Sequence, residues 1–176
     1  MGSTPPPDDS TARSPKEVTI DELERVAGQA RAAGRTVVWT NGCFEILHAG
    51  HIKFLTRAAT LGGALVVGIN SDASVRELKG EGHPLSPAWQ RKLVLSAVEC
   101  VDYVCVFEGR NCADILRALR PEVYAKGLRH FHAGIDPEER RAIEEYGGCV
   151  ALIAGDPVMS TRAIVQRISG GNSGRE

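Results

Sequence analysis

Short apolar runs of four to seven residues alternate along the chain with segments of helical periodicity. The apolar runs predict five β-strands, at residues 36–40, 64–70, 103–107, 122–125 and 149–154. Because each run is continuously apolar rather than alternating, both faces of each strand should be buried by helices, as in a parallel sheet. The helical stretches between and after them lie near residues 50–61, 72–79, 87–98, 112–119, 137–146 and 161–168.

The predicted helices carry start signals. A first helix opens at Thr19, where Thr19 and Glu22 have the spacing of a capping box. Ser86-Pro87 and Asp136-Pro137 are predicted to supply an N-cap and a first helical residue to two later helices. The alternation of strand and helix throughout predicts one doubly wound α/β domain.

Composition fits a single globular domain with its own core. The chain has 176 residues, of which 43% are hydrophobic and 24% charged. A net charge of −1 gives no support for a nucleic acid or a membrane surface as partner, and no apolar run approaches the roughly 18 residues of a membrane span. Residues 1–17, rich in Pro, Ser and Asp and without the apolar core of a signal peptide, and residues 169–176 are predicted to be disordered tails around a domain at 18–168.

Polar and small residues follow the predicted strands. The first strand runs into "NGCFEILHAGH", residues 41–51, which places His48, Gly50 and His51 at a helix start. In parallel α/β sheets, ligands bind beyond the carboxyl ends of the strands, so these residues should meet. Other strands are followed by Asn70 and Asp72, by Lys126 and Gly127, and by Ser160 and Thr161.

This set of side chains is suited to a polyphosphate. Imidazoles, an ammonium group, hydroxyls and the amides of helix N-termini all attract anions. Gly50 lets the backbone approach a ligand closely, so His48 and His51 can point toward one spot. Nucleotidyl transfer needs positioned positive charge more than covalent help from the protein. Taken alone, the two histidines could equally lie on the surface of a helix end.

The five cysteines do not form a disulfide pattern. Their number is odd, and no two of them have CxxC spacing. Both observations favour reduced thiols in a cytoplasm. A zinc site joining Cys43 to His48 and His51 lacks a fourth ligand at suitable spacing, so we expect no metal held by the protein itself.

The stretches "TNGCFEILHAGHIKFL", "GINSDASVRELKG", "VECVDYV", "KG" and "MSTRAIVQRI" resemble the HxGH nucleotidyltransferases. The similarity is greatest to the cytidylyltransferase-like branch that includes heptose 1-phosphate adenylyltransferases, and it spans about residues 18–168. The resemblance implies a Rossmann-like five-stranded parallel sheet of order 3-2-1-4-5. It also implies transfer of a nucleoside monophosphate from a nucleoside triphosphate to a sugar or alditol phosphate, with release of pyrophosphate.

The resemblance also implies roles for individual residues. His48, His51 and Lys126 would stabilise the transferring phosphate, with Mg²⁺ carried in by ATP. The nucleotide and its phosphates would be bound by Thr40, Asn41, Gly42, Cys43, Phe44, Gly50, Gly127, Ser160, Thr161 and Arg162. The acceptor phosphate would face Glu45, Asn70, Asp72, Lys79 and Arg91.

The chain departs from the family pattern at a few positions. Glu45 stands where the family usually has Asp, Ala59 where it has Arg or Lys, and Gly63 where it has Asp. Leu128-Arg129 replaces a frequent Gly-Asp, and Arg162 replaces a second Thr. These departures leave the reaction type intact and bear on the identity of the acceptor.

The preferred function is therefore adenylylation of a heptose 1-phosphate by ATP to give ADP-heptose. One alternative is a cytidylyltransferase acting on glycerol phosphate or another alditol or sugar phosphate. A second alternative is a nucleotide-binding module that no longer catalyses. The resemblance also leads us to expect a homodimer. The cysteine usage favours a cytoplasmic location, and the net charge favours neither a nucleic acid nor a membrane as partner.

Overall fold

A computed structural model of the chain describes residues 14–128, 135–154 and 161–170. Every predicted strand and helix has a counterpart there, and each boundary lies within two residues of its prediction. In chain order the elements are α1 (Ile20–Ala32), β1 (Val37–Gly42), α2 (Ala49–Ala59), β2 (Ala64–Asn70), α3 (Asp72–Lys79), α4 (Ala88–Ser96), β3 (Tyr103–Phe107), α5 (Ala113–Leu119), β4 (Val123–Gly127), α6 (Pro137–Glu144), β5 (Cys149–Ile153) and α7 (Thr161–Gly170).

The five strands form one parallel sheet of order β3-β2-β1-β4-β5, which confirms the expected topology. The chain builds outward from β1 to β3, then crosses back to place β4 on the other side of β1. The strand order therefore reverses between β1 and β4, the point at which α/β sheets bind ligands.

The pairing of β1 with β4 is short. These strands pair at Val38↔Val123 and Trp39↔Tyr124. Beyond that point β1 stays with β2 as far as Gly42, and β4 stays with β5 as far as Gly127. The carboxyl ends of the two strands therefore separate and leave a crevice between them.

Helices cover both faces of the sheet, as the continuous apolar runs predicted. Successive residues of β1 enter different layers: Trp39 packs with buried residues of α1, α5 and α6, whereas Val38 packs with Leu55 of α2 and Leu95 of α4. Trp39, Val38, Leu55 and Leu95 are fully buried. The two-sided core fixes β1 in the middle of the molecule, so the loop that follows β1 starts from a rigid strand.

The chain is bound to the sheet earlier than the sequence predicted. The Val104 amide donates to the Lys16 carbonyl at 2.8 Å, and the Val18 amide donates to the Val104 carbonyl at 2.9 Å. Glu17 also pairs with Lys92 of α4 at 2.9 Å. Residues 16 and 17, which were predicted to belong to a tail, thus lie along the outer edge of β3 as an isolated bridge.

Two of the three predicted helix starts have the expected caps. The capping box at Thr19 is present, and Asp136 accepts backbone hydrogen bonds at the start of α6. The prediction for Ser86-Pro87 was wrong by one residue, because Pro87 itself occupies the N-cap of α4. The Ser86 carbonyl instead accepts a hydrogen bond from Arg91 Nε at 2.9 Å.

A side chain at Gly68 of β2 is predicted to destabilise the fold on steric grounds. A Cβ at this position would lie 2.5 Å from two ring carbons of Trp39, which is fully buried and cannot move aside. Gly68→Ala should lower the free energy of unfolding by about 1–3 kcal/mol, measured by urea denaturation. Gly28→Ala is the control, because no atom lies within 4 Å of the new methyl group and exposed helix positions gain roughly 0.5–1 kcal/mol from this change. Equal effects of the two substitutions would contradict the steric explanation.

Candidate active site

The loop after β1 brings the two histidines together. His48 is the N-cap of α2 and His51 lies in its first turn, with Gly50 between them. Their rings are stacked, with centroids 3.9 Å apart and an angle of 23° between the planes. The Phe44 ring lies 5.2 Å from the His51 ring in a tilted arrangement. The pair is thus a fixed unit at the N-terminus of a helix rather than two independent surface side chains.

Phe44 reaches the histidines because of the backbone around it. It has a φ of 46°, in the left-handed region that non-glycine residues seldom adopt. Its ring folds back toward β1, where a Cβ on Gly42 would lie 3.2 Å from a ring carbon. Gly42 therefore leaves the space that the Phe44 ring needs. The buried Phe44 ring in turn forms one wall beside His51.

The His48 side chain has an unused polar atom. Its Nδ1 is buried and has no hydrogen-bond partner among the residues that the structure describes. Burial lowers the pKa of His48 below its usual value, which keeps the ring neutral near pH 7. Buried polar atoms without partners are rare in folded proteins, so His48 is an unusual residue of this loop.

Lys126 projects from β4 into the crevice opposite this loop. Its Nζ donates to Asn41 Oδ1 on β1 at 3.0 Å, lies 3.3 Å from Glu139 Oε2, and sits 4.8 Å from the centre of the Tyr124 ring. The Lys126–Asn41 contact spans the strands where their backbone pairing has ended. A positive charge is thereby held at the switch point of the sheet.

Arg91 ties the acceptor-side segments together. The residue is 2% exposed, and its guanidinium donates to the carbonyls of Ser86, Cys43 and Asn70 at 2.7–2.9 Å. It also pairs with Asp72 at 2.8 Å. The ends of β1 and β2 and the start of α3 are thus held by one side chain, and most of its donors are already used by the protein.

Glu45 and Lys79 bind each other. Glu45 Oε2 accepts a hydrogen bond from Lys79, while Oε1 accepts from the Leu85 amide at 3.0 Å and lies 2.7 Å from His83 Nδ1. Burial of Glu45 opposes its ionisation, but these hydrogen bonds outweigh burial and hold the pKa of Glu45 below its usual range. Glu45 therefore anchors the segment after α3 to the loop after β1, and Lys79 is partly exposed beside it.

The other nucleotide-side and acceptor-side candidates lie at the same edge. Thr40 is buried within β1. The Asn70 amide donates to the Gly109 carbonyl at 3.1 Å, and the Cys43 thiol lies 3.9 Å from Asn70 Oδ1. Burial raises the pKa of Cys43, so this thiol is protonated at neutral pH. Gly127 is the last residue of β4.

The last predicted helix is present as α7, which begins at Thr161. Ser160 and the side chain of Arg162 lie outside the described residues, so their predicted contacts with phosphate stay predictions. Of the departures from the family pattern, Ala59 is partly buried against the core that contains Leu55, and Leu128 is exposed.

A cavity of about 350 Å³ opens between the loop after β1 and α4. Phe44 and Leu47 line it from the loop, and Trp89, Leu93 and Val94 line it from the helix. The last three side chains are each about half exposed. The rest of the lining is polar and consists of Glu45, Ser86, Gln90 and Arg91.

Sequence reasoning missed three residues near the candidate site: Tyr124, Glu139 and His83. Tyr124 was assigned only to a strand, and its contact with Asn41 depends on sheet order. Glu139 had a detectable signal, since it shares the buried face of α6 with Ala142 and Ile143. A carboxylate at a core position of an amphipathic helix calls for a buried partner.

Two further properties concern the described ranges 14–128, 135–154 and 161–170. No helix there is long and apolar enough to cross a membrane. No group of three or more His, Cys, Asp or Glu side chains gathers there in a way that could hold a metal ion.

A parallel sheet with two histidines after its central strand is the arrangement that the resemblance to the HxGH nucleotidyltransferases implied. The sequence profile of the cytidylyltransferase-like family matches residues 39–162. The chain therefore belongs to the cytidylyltransferase-like family, which identifies it as a nucleotidyltransferase.

Relatives and a solved structure agree with this assignment. The bifunctional protein HldE of Pelobacter propionicus is 45% identical over 148 residues, covering 84% of this chain and 30% of the relative. HldE of Wolinella succinogenes is 43% identical over 150 residues, covering 85% and 30%. The chain thus spans about 30% of the length of these curated relatives. A lipopolysaccharide core biosynthesis protein from Thermoplasma volcanium shares the fold, with a TM-score of 0.57 at 24% identity, covering 70% of this chain and 98% of that one.

Arg91→Lys is predicted to destabilise the site because a lysine cannot reproduce the planar fork of donors. Three backbone carbonyls would lose good partners, so the free energy of unfolding should fall by about 2–4 kcal/mol in urea denaturation. Arg76→Lys, on the exposed side of α3, is the matched control and should change stability by less than about 0.5 kcal/mol. If Arg91→Lys were as stable as this control, the organising role of Arg91 would be wrong.

Glu45→Gln is predicted to change how stability depends on pH. The pKa of Glu45 is lowered in the folded state, so its ionised form stabilises the fold above the unfolded pKa of about 4.5. That contribution is lost as the pH falls through the lower folded pKa. The stability difference between wild type and Glu45→Gln should therefore be large at pH 7 and shrink toward pH 3, measured by urea denaturation across this range. Glu77→Gln, an exposed carboxylate of α3, should show no such trend.

Proposed function

We propose that the chain transfers AMP from ATP to a heptose 1-phosphate, releasing pyrophosphate and forming ADP-heptose. The stacked pair of His48 and His51 at the start of α2, beside the crevice that holds Lys126, is the observation that carries the proposal. A phosphate oxygen of the acceptor attacks the α-phosphorus of ATP. The bond from that phosphorus to the oxygen bridging toward the β-phosphate breaks, and both electrons leave with pyrophosphate.

The two histidines act on the transferring phosphate. The N-terminus of α2 favours negative charge through its unpaired amides and helix dipole. The buried Nδ1 of His48 has no hydrogen-bond partner within the described ranges. An anion nearby would raise the lowered pKa of His48 and favour the imidazolium form. His48 thus gains positive charge only when the triphosphate is bound. The ring is already held in place by the start of α2 and by stacking on His51, so its charge then stabilises the transition state without a covalent intermediate.

Lys126 acts from the opposite side of the crevice. Its contact with Asn41 holds the ammonium group at the point where β1 and β4 part. We assign it to the phosphate chain of the nucleotide, with Thr40, Asn41, Gly42, Cys43 and Phe44 forming the wall on the β1 side.

The remaining phosphates are assigned to the start of α7. Ser160, Thr161 and Arg162 would bind the β- and γ-phosphates there, together with the backbone at Gly127 and Gly50. Mg²⁺ would arrive bound to the triphosphate, since this cation prefers phosphate oxygens and water to a cage of protein ligands.

The acceptor phosphate is assigned to the side of the loop where Asn70, Asp72 and Arg91 meet. Lys79 is the cation there whose head group reaches solvent, and it is paired with Glu45. An acceptor phosphate that takes the place of the Glu45 carboxylate would recruit Lys79 to the site. Arg91 lies buried below this region and would act on the acceptor mainly by holding the backbone of the surrounding loops in place.

The choice of ATP and of a heptose rests on sequence similarity. The motifs match heptose 1-phosphate adenylyltransferases over most of the chain, and HldE proteins are 45% and 43% identical to it. The preference for ATP over CTP comes from the resemblance alone. The homodimer expected from the resemblance also stays a prediction.

The decisive test is pyrophosphate release with Mg²⁺, crossing ATP, CTP, GTP and UTP with heptose 1-phosphate, glycerol phosphate and other sugar 1-phosphates. We expect activity with ATP and heptose 1-phosphate, and a fall in kcat of roughly 100-fold or more in His48→Ala and in His51→Ala, because each removes a group that stabilises the transition state. Arg25→Ala, on the outer face of α1, is the control and should retain wild-type activity.

Other outcomes of this grid have definite meanings. Activity with CTP and glycerol phosphate would replace the proposal with a cytidylyltransferase. Nucleotide binding without pyrophosphate release from any pair would favour the non-catalytic module. Full activity in both histidine variants would remove the proposed mechanism.

A further inference from the structure

A buried carboxylate lies beneath the candidate site and has no role in the mechanism above. Glu139 of α6 is 3% exposed. Its Oε1 accepts from the Cys112 amide at 3.1 Å and lies 3.3 Å from the Cys112 thiol. Its Oε2 lies 2.7 Å from the Tyr124 hydroxyl and 3.3 Å from Lys126 Nζ. Both carboxylate oxygens are therefore fully engaged.

Burying a carboxylate is unfavourable unless charge and hydrogen bonds compensate for it. Cys112 and Tyr124 offer only neutral donors, and burial raises the pKa of both, which keeps them protonated. Lys126 is the cation among these contacts. The charge of Glu139 is thus matched to the lysine that faces the crevice, although an apolar side chain would fill the same helix position at lower cost.

The contacts of Tyr124, Asn41 and Glu139 fix the position of the Lys126 ammonium group. The Tyr124 hydroxyl lies within bonding distance of both Glu139 Oε2 and Asn41 Oδ1, at 2.7 and 2.8 Å, and has one proton to give. Lys126 donates to Asn41 and pairs with Glu139. Its ammonium group is therefore held between two oxygens, and the phenol ring lies below it.

We propose that Glu139 is a positioning residue, which fixes the Lys126 ammonium group across the crevice by a buried ion pair so that it meets the phosphate chain already oriented. The proposal rests on the proposed function in that Lys126 is taken as the phosphate-binding cation. In this arrangement, one side chain of α6 sets the position of the Lys126 ammonium group, which belongs to β4.

Glu139→Gln tests positioning because it keeps the shape of the side chain and removes its charge. We expect kcat to fall about tenfold or more, as for loss of a charged hydrogen bond, and KM for the triphosphate to stay unchanged or fall, because a nearby negative charge has gone. Glu138→Gln is the matched control, since that neighbouring carboxylate is half exposed and contacts Arg117 and Arg141. A purely structural role would lower Tm and leave kcat intact.

A double-mutant cycle with Lys126→Ala identifies the residue through which Glu139 acts. If Glu139 works through Lys126, Glu139→Gln should cause no further loss of kcat in the Lys126→Ala background. Losses that multiply would overturn the proposal. If Glu139→Gln does not fold, Glu139→Asp serves instead, because it keeps the charge but withdraws it from Lys126; a wild-type kcat in this variant would equally overturn the proposal.

A measurement without substrate separates this inference from the proposed function. The side-chain NMR signal of Lys126, assigned by its loss in Lys126→Ala, should shift and report greater mobility in Glu139→Gln but not in Glu138→Gln. If no substrate pair is turned over while this change is seen, the proposed function fails and the positioning of Lys126 stands. An unchanged Lys126 signal would overturn the positioning role whatever the activity.

Discussion

The separation of β1 from β4 is the constraint on which the rest of the site depends. The two strands pair only at Val38–Trp39 and Val123–Tyr124 and then follow different neighbours. Side chains, rather than backbone, must therefore bridge the gap, and Lys126 and Asn41 do so. A crevice made in this way is open to a ligand at one end, while the core of the sheet closes it at the other.

The two sides of the crevice are stabilised by different means. On the β1–β2 side, Arg91 donates hydrogen bonds to backbone carbonyls. Its guanidinium therefore holds the loops in place. On the β4 side, Glu139 gathers side chains around Lys126, so the charge of the lysine remains directed at the opening. A buried guanidinium and a buried carboxylate thus hold the two walls, and the stacked histidines lie at the start of α2.

The sequence was sufficient for the fold because its information is local: buried strands are continuously apolar, and helices repeat every three to four residues. His48 and His51 could be found for the same reason, since one short motif contains both. Glu45 could not be understood this way, because its partners Lys79 and His83 lie 34 and 38 positions away. Glu139 depends likewise on α6 packing behind β4. Ser86 is not the N-cap of α4, because Pro87 occupies that position. The Ser86 carbonyl accepts a hydrogen bond from Arg91 instead.

The short segment Lys16–Val18 affects how strongly copies of the molecule associate with one another. It partly covers β3, an outer strand of the sheet, by exchanging two backbone hydrogen bonds with Val104. Exposed strand edges invite pairing with strands of other molecules, which leads to aggregation. A chain that begins after Val18 would keep every site residue and still uncover this part of the edge. Solubility at high concentration would then depend on three residues that take no part in binding or chemistry.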